Sequence, residues 1–108
     1  MKKLSKAEYA QLHHDFWMTL YKSGSDNKVT ACKDFCEERG IEIPSAWCFL
    51  CEEMSHRDPE PTSCLGNCLG NWEADTCLSK NSLFKRWEYA ETVEERKKLA
   101  FQIANNCK

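Results

Sequence analysis

Apolar positions near the start of the chain fall into two helical stripes. Leu12, Phe16 and Leu20 recur at helical spacing, with Tyr9 and Trp17 beside them. Ser5 followed by Glu8 forms a capping box that opens this helix, and the turn-forming run Ser23-Gly24-Ser25-Asp26-Asn27 closes it. Asp26 or Asn27 then caps a second helix carrying Val29, Cys32, Phe35 and Cys36 and ending at Gly40. Beyond a connector from Ile41 to Pro44 the periodicity disappears. It returns at Asn81 or Ser82, where Leu83, Phe84, Trp87 and Ala90 share one side. A second box, Thr92 with Glu95, opens a last helix bearing Val93, Leu99, Ala100 and Ile103. The expected fold is mainly α, with about four helices.

Residues 45–78 break the pattern. They hold five of the eight cysteines and a polar loop, His56-Arg57-Asp58-Pro59-Glu60-Pro61. Such a segment cannot hold itself together by burial alone. Cys48-Phe49-Leu50-Cys51 and, after twelve intervening residues, Cys64-Leu65-Gly66-Asn67-Cys68 supply two close-spaced cysteine pairs. That is what a tetrahedral zinc site of four thiolates needs, each pair folding back as a knuckle and the loop bringing the two together. Gly66-Asn67 suits the tight, positive-φ turn inside the second knuckle. Cys77 is an alternate ligand. His56, a loop histidine, is read as solvated rather than ligating. Cys32 and Cys36, at i and i+4 on the second helix, are read as buried thiols on its apolar face, and Cys107 as a bystander.

Metal is preferred over disulfides because of compartment. Met1-Lys2-Lys3-Leu4-Ser5-Lys6-Ala7-Glu8 carries charge with no apolar run behind it, so no signal peptide is expected, and no stretch is long enough to span a membrane. A cytoplasmic location keeps thiols reduced, where clustered cysteines usually mean metal.

The zinc is read as structural. A catalytic zinc keeps an open position with an acid or base at hand, and the His-x-Glu and Pro-Cys-x-x-Cys of zinc deaminases are missing. Glu52 and Glu53 are expected to form a solvated face. His13 and His14 point about 100° apart on a helix, so a boundary or capping role is expected rather than a catalytic pair. No enzyme activity is expected, a zinc hydrolase being the weakest alternative.

A chain of 108 residues reads as a single domain: an N-terminal helical part (1–44), a zinc module (45–78) and C-terminal helices (79–108). With 42% hydrophobic and 30% charged residues the mix is that of a globular protein. The net charge of −2 provides no global positive field for nucleic acid. Charge is uneven, however: 45–78 sum to −5 and 79–108 to +3. The acidic centre and the surplus of aromatics, including Trp17, Trp47, Trp72 and Trp87, favour a protein partner. The alternative is nucleic-acid binding by Lys80, Lys85, Arg86, Arg96, Lys97 and Lys98 on the terminal helices. It is not favoured, because Glu88, Glu91, Glu94 and Glu95 are interleaved and expected to form i,i+4 pairs with them.

The chain also resembles a group of small zinc-knuckle proteins of phages and prophages of Gram-positive bacteria. Their pattern has an N-terminal helix with a His and a Trp a few residues apart, a CFxCE knuckle, and a CxxCPxxW knuckle with a further Cys. It ends in a helix reading like EERxKLAxxIAN. The matching stretches here are His13-His14-Asp15-Phe16-Trp17, Cys48-Phe49-Leu50-Cys51-Glu52, and Cys68-Leu69-Gly70-Asn71-Trp72 with Cys77. In the last helix they are Glu94-Glu95-Arg96-Lys97-Lys98-Leu99-Ala100 and Ile103-Ala104-Asn105. The chain departs in having CxxxC for the second pair and Leu69 where proline is usual, which leaves Cys64 and Cys77 as alternatives for the metal. The resemblance implies a phage context, a zinc module and the cytoplasm of a bacterial host. By analogy it implies action on a host protein, for example a defence nuclease such as a CRISPR effector.

Overall fold

The structure is a computed structural model, described here for residues 4–44, 47–50, 52–53, 72–73 and 79–107. It is mainly helical. The described helices are α1 (Lys6–Ser23), α2 (Lys28–Arg39), α3 (Leu83–Glu88) and α4 (Val93–Ala104). Phe49, Leu50, Glu52 and Glu53 lie in a further helical turn, in which the Glu52 N–H donates to the Cys48 carbonyl at 3.1 Å.

Side-chain oxygens start the helices where the sequence places them. Ser5 Oγ accepts from the Glu8 N–H (3.1 Å) while Glu8 Oε1 accepts from the Ser5 N–H (3.0 Å), completing the box on α1. Asn27, rather than Asp26, caps α2, accepting from the Thr30 N–H at 3.0 Å. Ser82 caps α3 and Thr92 caps α4, each at 3.1 Å from the N–H three residues on. Gly24 and Gly40 end α1 and α2 in the left-handed region, at φ 70° and 65°.

Gly24 is also a close approach. A Cβ there would stand 2.9 Å from Val93 Cγ1 and 3.2 Å from Lys97 Cε, and its carbonyl accepts from Arg96 Nη1. Gly24→Ala should therefore destabilise the protein by about 1–2 kcal/mol in urea melts, from the left-handed backbone alone, and by more if Val93 cannot shift.

α1 is the central element and packs chiefly on α4, with α3 completing that side and α2 on another. Two aromatic groups meet at α1. Phe16, Phe35 and Phe49 form an edge-to-face triangle with centroids 5.6–6.2 Å apart. Trp17 meets Trp87 at 5.0 Å and 85°, and Phe84 at 6.4 Å. Leu20, Leu50, Leu83, Leu99, Ala100 and Ile103 fill the space between. The stripe on α1 differs from the expected one at a single position: Leu12 is only half-buried, and the next residue, His13, takes a fully buried place beside Phe16. Val29 and Val93 stand in the first turns of their helices and are exposed.

Candidate metal centre and interaction surface

Of the expected zinc ligands, Cys48 is described; Cys51, Cys64, Cys68 and the alternate Cys77 lie outside the described residues, as does His56. Cys48 is half-buried at the head of the helical turn whose Phe49 and Leu50 are sunk in the core. At the far side of the cysteine segment Trp72 is buried, its ring meeting His13 edge-on at 5.9 Å and its carbonyl accepting from the Leu83 N–H at 2.9 Å. Both ends of the segment are thus moored to one core. Next to each mooring stands a non-glycine residue with left-handed backbone, Trp47 and Glu73, both at φ 57°. Such conformations persist only where the surroundings impose them.

Among the described residues, two buried indole N–H groups, those of Trp72 and Trp87, have no acceptor. Orphaned buried donors are rare and call for an explanation.

Cys32 and Cys36 are buried in α2, as its apolar face implies, with their thiols hydrogen-bonded to each other. Burial pushes the Cys32 thiol up to about 12, with Cys36 and Cys48 adding to the rise. Burial also raises Cys36, against the lowering effect of the hydrogen bond from Cys32. Both stay protonated at neutral pH and are poor nucleophiles. Among the described residues no three His, Cys, Asp or Glu side chains are arranged to hold a metal ion, so Cys32, Cys36 and Cys48 alone do not make a site. Cys107 is half-buried against the edge of the core.

The histidine pair is structural, and the helix it caps is not its own. His13 Nε2 lies 2.8 Å from both the Ile103 carbonyl and Asn106 Oδ1, and His14 Nδ1 lies 3.0 Å from the Ala104 carbonyl. Carbonyl oxygens only accept, so these nitrogens carry the protons and donate to the open C-terminal carbonyls of α4. Burial pulls the His13 pKa down to about 4, overriding the raising effect of the Ile103 and Asn106 bonds; the charges of Lys28 and His14 lower it further. The unfolded chain, near 6.5, binds this proton more readily than the folded one. Stability is therefore fully present above about pH 6.5 and falls as pH drops from there towards 4, by roughly 3 kcal/mol in all. Urea melts at pH 7 and pH 4.5 should show the loss, and His13→Gln should flatten it.

Glu52 and Glu53 are not a solvated face. They are 8% and 4% exposed, drawn in because their helical turn is the one that inserts Phe49 and Leu50. The Tyr9 hydroxyl, raised first by burial, is raised again by the charges of Glu52, Glu8 and Glu53.

On the surface, only part of the expected pairing of bases with acids forms. Lys85 pairs with Glu88 (3.0 Å), Arg86 with Glu73 (2.8 Å), and Arg96 donates to the Gly24 carbonyl (3.2 Å). Lys97 and Lys98 make no ion pair among the described residues, with Glu94, Glu95 or any other acid. They border a groove of about 620 Å³ with Tyr21, Phe101, Glu94 and Gln102. The sequence pointed to neither Tyr21 nor Phe101, since both lie off the apolar stripes; an aromatic on the polar side of an amphipathic helix was the available signal.

No described helix is long and apolar enough to cross a membrane. Comparison with protein-family models, with curated proteins and with solved structures finds no match for this chain.

Proposed function

We propose that the chain is a non-enzymatic accessory protein of the phage type, a helical body with one structural zinc that binds and modulates a host protein, a defence nuclease such as a CRISPR effector being the leading candidate. The zinc is assigned to Cys48, Cys51, Cys64 and Cys68, with Cys77 as the alternate for Cys64. The observation that carries the reading is the double mooring of the cysteine segment, by Phe49 and Leu50 before it and Trp72 after it. A cross-link between two moored ends tightens the whole core, which is what a closed, structural site does. Trp72 fits the donor set: its indole N–H is buried without an acceptor, four residues beyond Cys68, and thiolate sulfurs accept such bonds. When bound, the metal would supply folding energy and no chemistry.

The unpaired Lys97 and Lys98 favour a second reading, in which the terminal helices bind nucleic acid. A tagged pull-down from bacterial host lysate, with and without nuclease, separates the two. One host protein retained after nuclease supports the first. Recovery that vanishes with nuclease, or binding that falls steeply as salt rises, supports the second.

A further inference from the structure

Beside the last turn of α1, the ring of Tyr21 leans on that of Phe101 of α4, with centroids 5.3 Å apart and planes at 56°. Together they floor the groove of about 620 Å³. Neither ring is covered: Tyr21 is 37% exposed and Phe101 47%. Val93, two turns before Phe101 on the same helix and 53% exposed, extends the apolar strip across Gly24. A half-exposed aromatic pair in a concavity has the form of an interface anchor, since aromatic residues filling desolvated pockets dominate binding energy.

The rim fixes what the occupant must look like. Among the described residues Lys97 and Lys98 have no carboxylate partner, whereas Lys85, Arg86 and Arg39 each have one. Glu94, a turn before Lys98, also has no partner among the described residues and adds one negative charge to the groove's lining. An occupant needs carboxylates for the two lysines and an apolar side chain for the floor. Nucleic acid suits it less well. The two rings are inclined at 56° to each other rather than aligned as a stacking platform, and Glu94 repels a phosphate chain.

We propose that this groove docks an acidic segment of a partner protein. An aromatic or branched aliphatic side chain of that segment seats against Tyr21 and Phe101, and the flanking carboxylates pair with Lys97 and Lys98. The proposal rests on the protein-binding reading above and gives it a surface. Charge complementarity of this kind governs partner choice and association rate, while the aromatic contact governs residence time.

The test uses the full chain and a displayed library of random dodecapeptides. Selection should enrich peptides with acidic residues flanking an aromatic or aliphatic one. Fluorescence anisotropy should show their affinity reduced roughly tenfold or more by Phe101→Ser, and by the pair Lys97→Glu with Lys98→Glu. Phe101 and Lys98 are exposed and Lys97 is half-buried beside Gly24, so helicity and melting should stay close to wild type for Phe101→Ser and are measured for the lysine pair as well. The proposal is overturned if the enriched peptides lack acids, or if they bind the variants as well as wild type. It is equally overturned if a fluorescent oligothymidylate uses the same residues more tightly, or if Phe101→Ser dissolves a dimer of the chain itself.

The host pull-down keeps the two readings apart. A host protein held equally by wild type and Phe101→Ser overturns this docking surface and leaves the protein-binding function standing. Its loss with Phe101→Ser supports both.

Discussion

Serine in place of Cys48 or Cys51 is expected to leave the protein without zinc and largely unfolded. A structural zinc contributes on the order of 10–16 kcal/mol in small domains, against a total stability of about 5–15 kcal/mol, so no other change should cost as much. Phe49 and Leu50 are buried beside Cys48, and Trp72 is buried at the other end of the segment. Losing the tie between them should therefore spread into the core instead of loosening one loop. Metal analysis of the purified chain should give one zinc, released in step with the helical circular dichroism signal as a chelator is added. Serine at Cys64 and at Cys77 in turn identifies the fourth ligand, as the one whose loss removes the metal. Cys107→Ser should be nearly silent. A chain purified without zinc, or one whose melting ignores the chelator, would falsify the zinc assignment.

The second large effect is expected at Trp17. It is 2% exposed and touches Phe16, Trp87 and Phe84, while Lys28 Nζ lies 5.8 Å from its ring. Trp17→Ala removes the contact that joins α1 to α3 and leaves a cavity between them, at a cost of about 3–5 kcal/mol. α3 keeps its packing on α4 and the bond from the Leu83 N–H to the Trp72 carbonyl, so it should loosen at Trp87 and Phe84 rather than unfold. Urea unfolding should show the midpoint falling sharply, and Trp17→Phe should recover part of the loss. A Trp17→Ala chain within about 1 kcal/mol of wild type would mean that the Trp17–Trp87 contact adds little to the packing of α3 on α4.

The helices were legible because their signals are local. Ser5 with Glu8, Asn27, Ser82 and Thr92 each bond to an N–H three residues on, and that relation is written in the sequence itself. Gly24 and Gly40 stop α1 and α2 for the same reason. What the sequence did not show depends on residues far apart. His13 reads as a polar break in an apolar stripe until the C-terminal carbonyls of α4 are placed against it. Glu52 and Glu53 read as solvent-facing acids, yet Phe49 and Leu50 pull their turn inward. The interleaved charges of α4 suggested i,i+4 pairs, but the stem of Lys97 lies beside Gly24 at the end of α1, a contact far away in sequence. The cysteine spacing carries the proposed metal assignment now as it did in the sequence, since Cys48 is the one described residue of the proposed set.

His13 and the carbonyl it caps are separated by ninety positions, and that distance has a meaning in time. On the ribosome α1 emerges first and α4 last, with elongation at about 5–20 residues per second, so α1 waits for several seconds or more for its principal partner. A helix alone in water is marginal, and through that interval Phe16 has only Phe35 and Phe49 to bury against, while Trp17 waits for Phe84 and Trp87. The cysteine pairs emerge in between. On the zinc reading proposed above, metal capture would precede closure of the helical body, because the cysteines are made before α4. Zinc supply would then act on the yield of folded protein during synthesis, well before any mature copy is exposed to a chelator.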